Sequence, residues 1–244
     1  PLENTSLHQG DHGLFGPGSV SWEVLGDVSS FVGGIRALMV QAAHPEVAAG
    51  VAEHSAYRED PLGRLSRTAF YVTSMTYGAL PETEHAVKIV RRAHMGVTGT
   101  SERGRQYSAS TPEYGAWVHN TLTYSFLQAF QVFKRPMTEE EANRFVAEQS
   151  LIGEKMGASP LPKTAKELRT WITTHPDIAR SEAMREAIEF LQDPPLGRAE
   201  LLGYRILQRA AATTVEPQLQ ETLGLTPSRF YLQAGKGLVR ALRW

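Results

Sequence analysis

Apolar residues in this chain recur at helical spacing nearly throughout, and the alternation expected of half-buried strands is absent. Proline, glycine and capping residues cut the pattern into segments. Residues 1–18 read as an irregular arm ending in GLFGPGS. A helical stretch from about Ser21 to Ala43 follows, interrupted at Gly26 and at Gly33-Gly34. Pro45 opens a helix to about His54. Asp60-Pro61 opens another to about Tyr77, with Asp60 as N-cap and Pro61 at the first helical position. Beyond Pro81 and Thr83 a helix runs from about Glu84 to Val97. The polar, Gly/Ser-rich stretch TGTSERGRQYSAS, residues 98–110, reads as a loop. Thr111-Pro112-Glu113 starts a long helix to about Phe133, and the capping box Thr138…Glu141 starts one to about Met156. After the linker SPLPKT, three or four shorter helices fill residues 164–243, with breaks near His175-Pro176 and Asp193-Pro194-Pro195. The expectation is an all-α, single globular domain of about ten helices spanning residues 1–244.

Composition narrows the chemistry. Hydrophobic residues make up 41% of the 244, as in an ordinary globular protein, and the formal net charge is −1. The arginines are scattered, so a nucleic-acid partner is not expected. The cationic C-terminal residues Arg229, Lys236, Arg240 and Arg243 read as a solvated helix face. No apolar run reaches the roughly 18 residues of a membrane span, no leader is visible, and the chain reads as cytoplasmic. There is no cysteine, which rules out a disulfide framework, a thiolate nucleophile, an iron–sulfur cluster and thiolate-held haem. A metal would be held by other donors, among them eight histidines: His8, His12, His44, His54, His85, His94, His119 and His175.

Several motifs are absent. GLFGPG follows no strand and lacks the Gly-Lys-Ser/Thr ending of a phosphate loop. There is no H-E-x-x-H and no G-x-S-x-G, and Glu82-x-x-His85 has no second copy to complete a di-iron bundle. In DPLGRLSRTAF, Asp60, Arg64, Arg67 and Thr68 fall at spacings of three and four, on one side of a helix. They form either a surface ion-pair ladder or a wall for an anionic cofactor. His94 sits within an apolar stripe with Val87, Val90 and Val97. Spacing alone favours a core histidine bonded to backbone or carboxylate, and a metal ligand is the alternative. His44 and His54 flank one helix and read as cap or loop residues. His119 lies among Tyr114, Trp117, Tyr124, Phe126 and Phe130, which suit either a core or the wall of a pocket for a flat apolar ligand.

Taken together and in order, GLFGPGSVSW, ALMVQAAHPEVAAGVAEHSAYREDPLGRLSRTAFYV, HMGVTG, GRQY and WVHNTL resemble the rubber-oxygenase catalytic-domain family. That family includes the latex clearing protein and a fungal oxygenase of the mycophenolic acid pathway. The resemblance covers roughly residues 12–240 and is densest between 30 and 125. It implies an all-helical domain around a b-type haem that works with dioxygen on carbon–carbon double bonds. His94 matches the family's proximal iron ligand, and Arg64, Arg67 and Thr68 match its distal arginine, lysine and threonine.

The resemblance makes His94 the expected metal ligand and Arg64, Arg67 and Thr68 the catalytic set. Asp60, His119 and His44 complete the expected cofactor-binding residues, with Asp60 orienting Arg64 and Thr68 hydrogen-bonding dioxygen. Arg67 departs from the pattern: a guanidinium has no lone pair for iron, unlike the lysine it replaces. No carboxylate matches the rubber enzyme's distal base. The expected activity is a haem b oxygenase acting on an apolar or prenyl-like small molecule, with an electron donor as a possible partner. The alternatives are a haem peroxidase or peroxygenase, and a haem- or lipid-binding protein without catalysis.

Overall fold

The computed structural model describes residues 8–243. Five helices open the chain: α1 (Val20–Gly26), α2 (Ser29–Gln41), α3 (Pro45–His54), α4 (Pro61–Tyr77) and α5 (Leu80–His94). An antiparallel pair, β1 (Thr98–Thr100) and β2 (Gln106–Ser108), follows, with Gly99 opposite Tyr107. Then come α6 (Pro112–Phe133), α7 (Glu139–Met156), α8 (Ala165–Thr173), α9 (Glu182–Gln192), α10 (Arg198–Thr213), α11 (Pro217–Leu223) and α12 (Arg229–Ala241).

Helix α6 is apolar on nearly every side, so it must be surrounded. It buries Trp117, Tyr124, Phe130 and Phe133 among Val32, Met39 and Val40 of α2, Phe145 of α7 and Val239 of α12. Each large side chain fully buried there contributes roughly 1.5–3 kcal/mol. A smaller apolar cluster, Met75, Ala86, Val87 and Ile152, joins the α4–α5 pair to α7, with Leu14 and Phe15 of the N-terminal arm against it. The arm is anchored by Asp11, whose carboxylate accepts from the N–H groups of Gly13 and Leu80 at 2.8 and 2.9 Å. Gly13 has φ +67°, and a Cβ there would lie 1.9 Å from the Gly78 carbonyl oxygen. At the other end Arg243 donates to both Asp27 carboxylate oxygens, so it is an anchor rather than a solvated charge.

The all-helical expectation holds, with twelve helices among the described residues rather than about ten. The stretch read as one interrupted helix is two, parted at Asp27–Val28, and α2 runs unbroken through Gly33-Gly34. Gly33 is there for close approach: a Cβ would lie 2.7 Å from Phe126 Cδ1 and 3.0 Å from its Cα. Gly34 has nothing within 4 Å of the same position. Gly33→Ala should therefore cost about 1–3 kcal/mol through overpacking, while Gly34→Ala should stabilise by about 0.5–1 kcal/mol through helix propensity. Urea midpoints of the two variants check this, and equal shifts would sink it.

Two further boundaries differ from expectation. Helix α5 starts at Leu80 rather than Glu84, because proline is tolerated in a first turn and Glu82 reaches back to the Ala79 N–H at 2.7 Å. Residues 98–110 hold a hairpin rather than an unstructured loop. Its three-residue strands are too short to show a period in the sequence, and Tyr107 secures it by donating to Glu53.

Candidate functional site

Helices α4 and α5 are joined by only Gly78 and Ala79, which makes them an antiparallel helical hairpin. The first turns of α4 and the last turns of α5 lie at its far end. At helical spacing, Arg64, Thr68, Tyr71 and Met75 share one face of α4, and Thr83, Val87, Val90 and His94 share one face of α5. Near the connection both faces are buried, at Met75, Thr76, Thr83, Ala86 and Val87. Toward the far end burial lapses: Tyr71, Val90 and His94 are half-buried and Thr68 is exposed. Toward that end the two core-side faces are thus only partly covered. On the other side of α4, Leu62, Leu65 and Phe70 are exposed.

Three groups on these faces lack polar partners among the described residues. The His94 imidazole makes no hydrogen bond, ion pair or ring contact, and burial holds its pKa below the usual histidine range. It is a neutral ring with an uncommitted lone pair, the form that ligates a metal. The Arg64 guanidinium has no carboxylate. It stacks over the Tyr57 ring at 5.8 Å, and burial lowers its pKa. A half-buried cation without a counter-ion favours an anion brought by a ligand. The Tyr71 hydroxyl is likewise unpaired, and burial raises its pKa, so the proton stays on the oxygen. Tyr71 carries no motif, and its only sequence signal is its position seven residues after Arg64, on the same face.

The DPLGRLSRT residues are wired differently from expectation. Asp60 is the N-cap, accepting from the Gly63 N–H at 2.9 Å. Its second oxygen pairs with Arg67 at 3.3 Å, so Asp60 holds Arg67 and does not orient Arg64. The pair is exposed, which confines it to about 0–1 kcal/mol. Asp60 and Arg67 lie seven residues apart, two turns, and the extended guanidinium reaches back where the shorter spacing to Arg64 misses. Thr68 donates to the Arg64 carbonyl at 3.1 Å, so its proton is already committed.

The expected cofactor residues also divide in space. His119 on α6 faces α7: a Cβ at Gly153 would lie 3.0 Å from His119 Nε2. The turn before His94 reaches α7 as well, because Arg91 donates to the Lys155 carbonyl at 2.6 Å. Burial lowers the His119 pKa to about 4, although a hydrogen bond with the Gln149 backbone opposes the shift. Unfolded His119 titrates near 6.5, so between about 6.5 and 4 the unfolded chain binds the extra proton. Stability from this group is complete above pH 6.5 and is lost as pH falls toward 4. Urea unfolding across that range should show a shallower pH slope for His119→Gln than for wild type.

His44 lies elsewhere. Trp117 precedes His119 by two residues and so points to the opposite side of α6, where it packs on His44 with ring centroids 5.5 Å apart. His44 occupies the N-cap position of α3, in a group with His175 and Asp177. Nothing in the local sequence around His44 announces those neighbours.

The family model for the ER-bound oxygenase mpaB/B′/rubber oxygenase catalytic domain matches residues 22–244. No curated protein and no solved structure matches the chain significantly. No helix among the described residues is long and apolar enough to cross a membrane. The matched span contains the α4–α5 hairpin, its unpartnered histidine and both α6 faces, and by it the chain belongs to the mpaB/rubber-oxygenase catalytic-domain family of oxygenases.

Proposed function

We propose that this protein is a haem b-dependent oxygenase that acts with dioxygen on an apolar or prenyl-like small molecule. The observation that carries the reading is the neutral, unpartnered His94 imidazole at the same end of the α4–α5 hairpin as the unpaired Arg64 cation. A b-type haem has the complementary parts: an iron that takes an imidazole, anionic propionates and a broad apolar ring. His94 would hold the iron, and Arg64 would pair with a propionate. Bound haem would supply the oxygen chemistry, and the protein's part is to position and tune it.

The chain's own residues set the rest. Tyr71 keeps its proton and is the donor that the α4 face offers to a bound oxygen or substrate atom. Thr68, with its proton on the Arg64 carbonyl, offers only acceptor lone pairs. Arg67 is held outward by Asp60 and cannot ligate iron. Val90 and Val87 of α5, with Met75 of α4, provide an apolar floor that suits a hydrocarbon substrate.

The test is an absorption spectrum of the purified protein, before and after haemin is added, followed by turnover of an isoprenoid alkene. A Soret band and dioxygen-dependent cleavage are expected. No Soret band after reconstitution would overturn the haem, and turnover with peroxide alone would replace the oxygenase by a peroxygenase.

A further inference from the structure

On the side of α6 away from His119, two distant parts of the chain meet. His44 lies at the α2–α3 corner, and His175 and Asp177 lie in the α8–α9 connection. The Ala179 N–H donates to the Ala43 carbonyl at 3.1 Å and fixes one segment against the other. One nitrogen of each imidazole and one Asp177 carboxylate oxygen lie within 4.8 Å of one another. We propose that His44, His175 and Asp177 bind a divalent first-row transition ion. This site is independent of the haem reading.

The donor chemistry fits such an ion. Two imidazoles with one carboxylate are the set found around zinc and non-haem ferrous iron. His44 is 2% exposed, so an ion on its ring is held largely out of water. The Asp177 N–H donates to His175 Nδ1 at 3.3 Å, a bond that gives way when this ring ligates through either nitrogen. Asp177 divides its oxygens: Oδ1 faces Arg105 and Arg103, while Oδ2 faces His44 Nε2 at 4.0 Å. The two arginines steady the carboxylate and leave one oxygen for the ion.

A second observation comes from the other His44 nitrogen. Nδ1 is buried and has no hydrogen-bond partner, which costs roughly 1–3 kcal/mol in a plain core histidine. It lies 3.3 Å from Oε2 of Glu46, itself buried and held by Ser101 and Arg103. An ion on Nε2 puts the proton on Nδ1, 3.3 Å from that carboxylate, where a rotation of the ring completes the carboxylate–histidine–metal relay that orients ligating histidines. Trp117, Trp171 and Tyr114 wall the two imidazoles, and the half-buried His175 and Asp177 leave a solvent side for a water ligand. Tetrahedral ligation places donors roughly 3.3 Å apart, so the connection must close by about 1 Å.

The experiment is dialysis of the purified full chain against EDTA and then against Co²⁺, with cobalt counted by elemental mass spectrometry. One bound Co²⁺ per chain is expected in wild type and in His94→Ala. His175→Ala and Asp177→Asn, both at half-exposed positions, should weaken binding at least ~100-fold, and Glu46→Gln about 10–100-fold. Circular dichroism reports whether each variant is folded, and the Soret band should not change. Folded wild type that binds no cobalt, or binds it no more tightly than the His175→Ala/Asp177→Asn double variant, overturns the site.

Discussion

Replacing His94 with alanine should abolish the Soret band and the oxygenase activity while the protein stays folded. The imidazole donates and accepts no hydrogen bond among the described residues, so its removal orphans no polar partner. It is half-buried at the last residue of α5, and alanine is the better helix former, so the stability change should stay within about 1 kcal/mol. Cofactor affinity has no such buffer, because on this reading the ring is the protein's bond to iron. Added imidazole should return a Soret band to His94→Ala by filling the vacated position, which a merely structural histidine would not allow. Companion variants His119→Gln and His175→Ala should keep the band. If His94→Ala keeps an unchanged spectrum and His119→Gln loses it, the ligand is the α6 histidine.

The largest stability effect is expected from Glu216. Arg36 is fully buried and makes an ion pair with Glu216 at 2.8 Å, donates to Ser125 Oγ at 2.9 Å, and lies over the Tyr124 ring. Tyr124 donates to the other Glu216 oxygen, so one carboxylate ties α2, α6 and the start of α11 together. Glu216→Ala leaves a guanidinium in the core without a counter-charge, at a cost of about 3–5 kcal/mol. For a chain of this size that lowers Tm by roughly 6–20 °C. Adding Arg36→Met removes the stranded charge, and the double variant should recover much of the loss. A Glu216→Ala variant within about 1 kcal/mol of wild type, or a double variant less stable than either single, would refute the account.

Much of the hairpin was legible in the chain itself. Asp60-Pro61 marks the start of α4 with an N-cap and a first-turn proline, and both signals act locally. The capping box at Thr138 works in the same way. The spacing of Val87, Val90 and His94 places the histidine on the core side of α5 whatever surrounds it. The neighbours of those residues were not legible. Asp60 could reach Arg64 or Arg67, and side-chain reach decided for Arg67. Gly33 reads as a breaker along the chain and becomes a contact point only once Phe126 lies against it.

What the sequence by itself determined is most of the helices, the absence of cysteine and the faces on which Arg64, Thr68 and His94 lie. These follow from period, caps and composition, each of which acts over a few residues. Only the tertiary structure decided that His94 and Arg64 go unpartnered at one end of the α4–α5 hairpin, that Arg36 meets Glu216, and that His44 meets His175 and Asp177 on the far side of α6. Those facts depend on segments far apart in the chain, brought together by the burial of α6. No local pattern encodes such a distance, because the free energy that sets it belongs to the whole core.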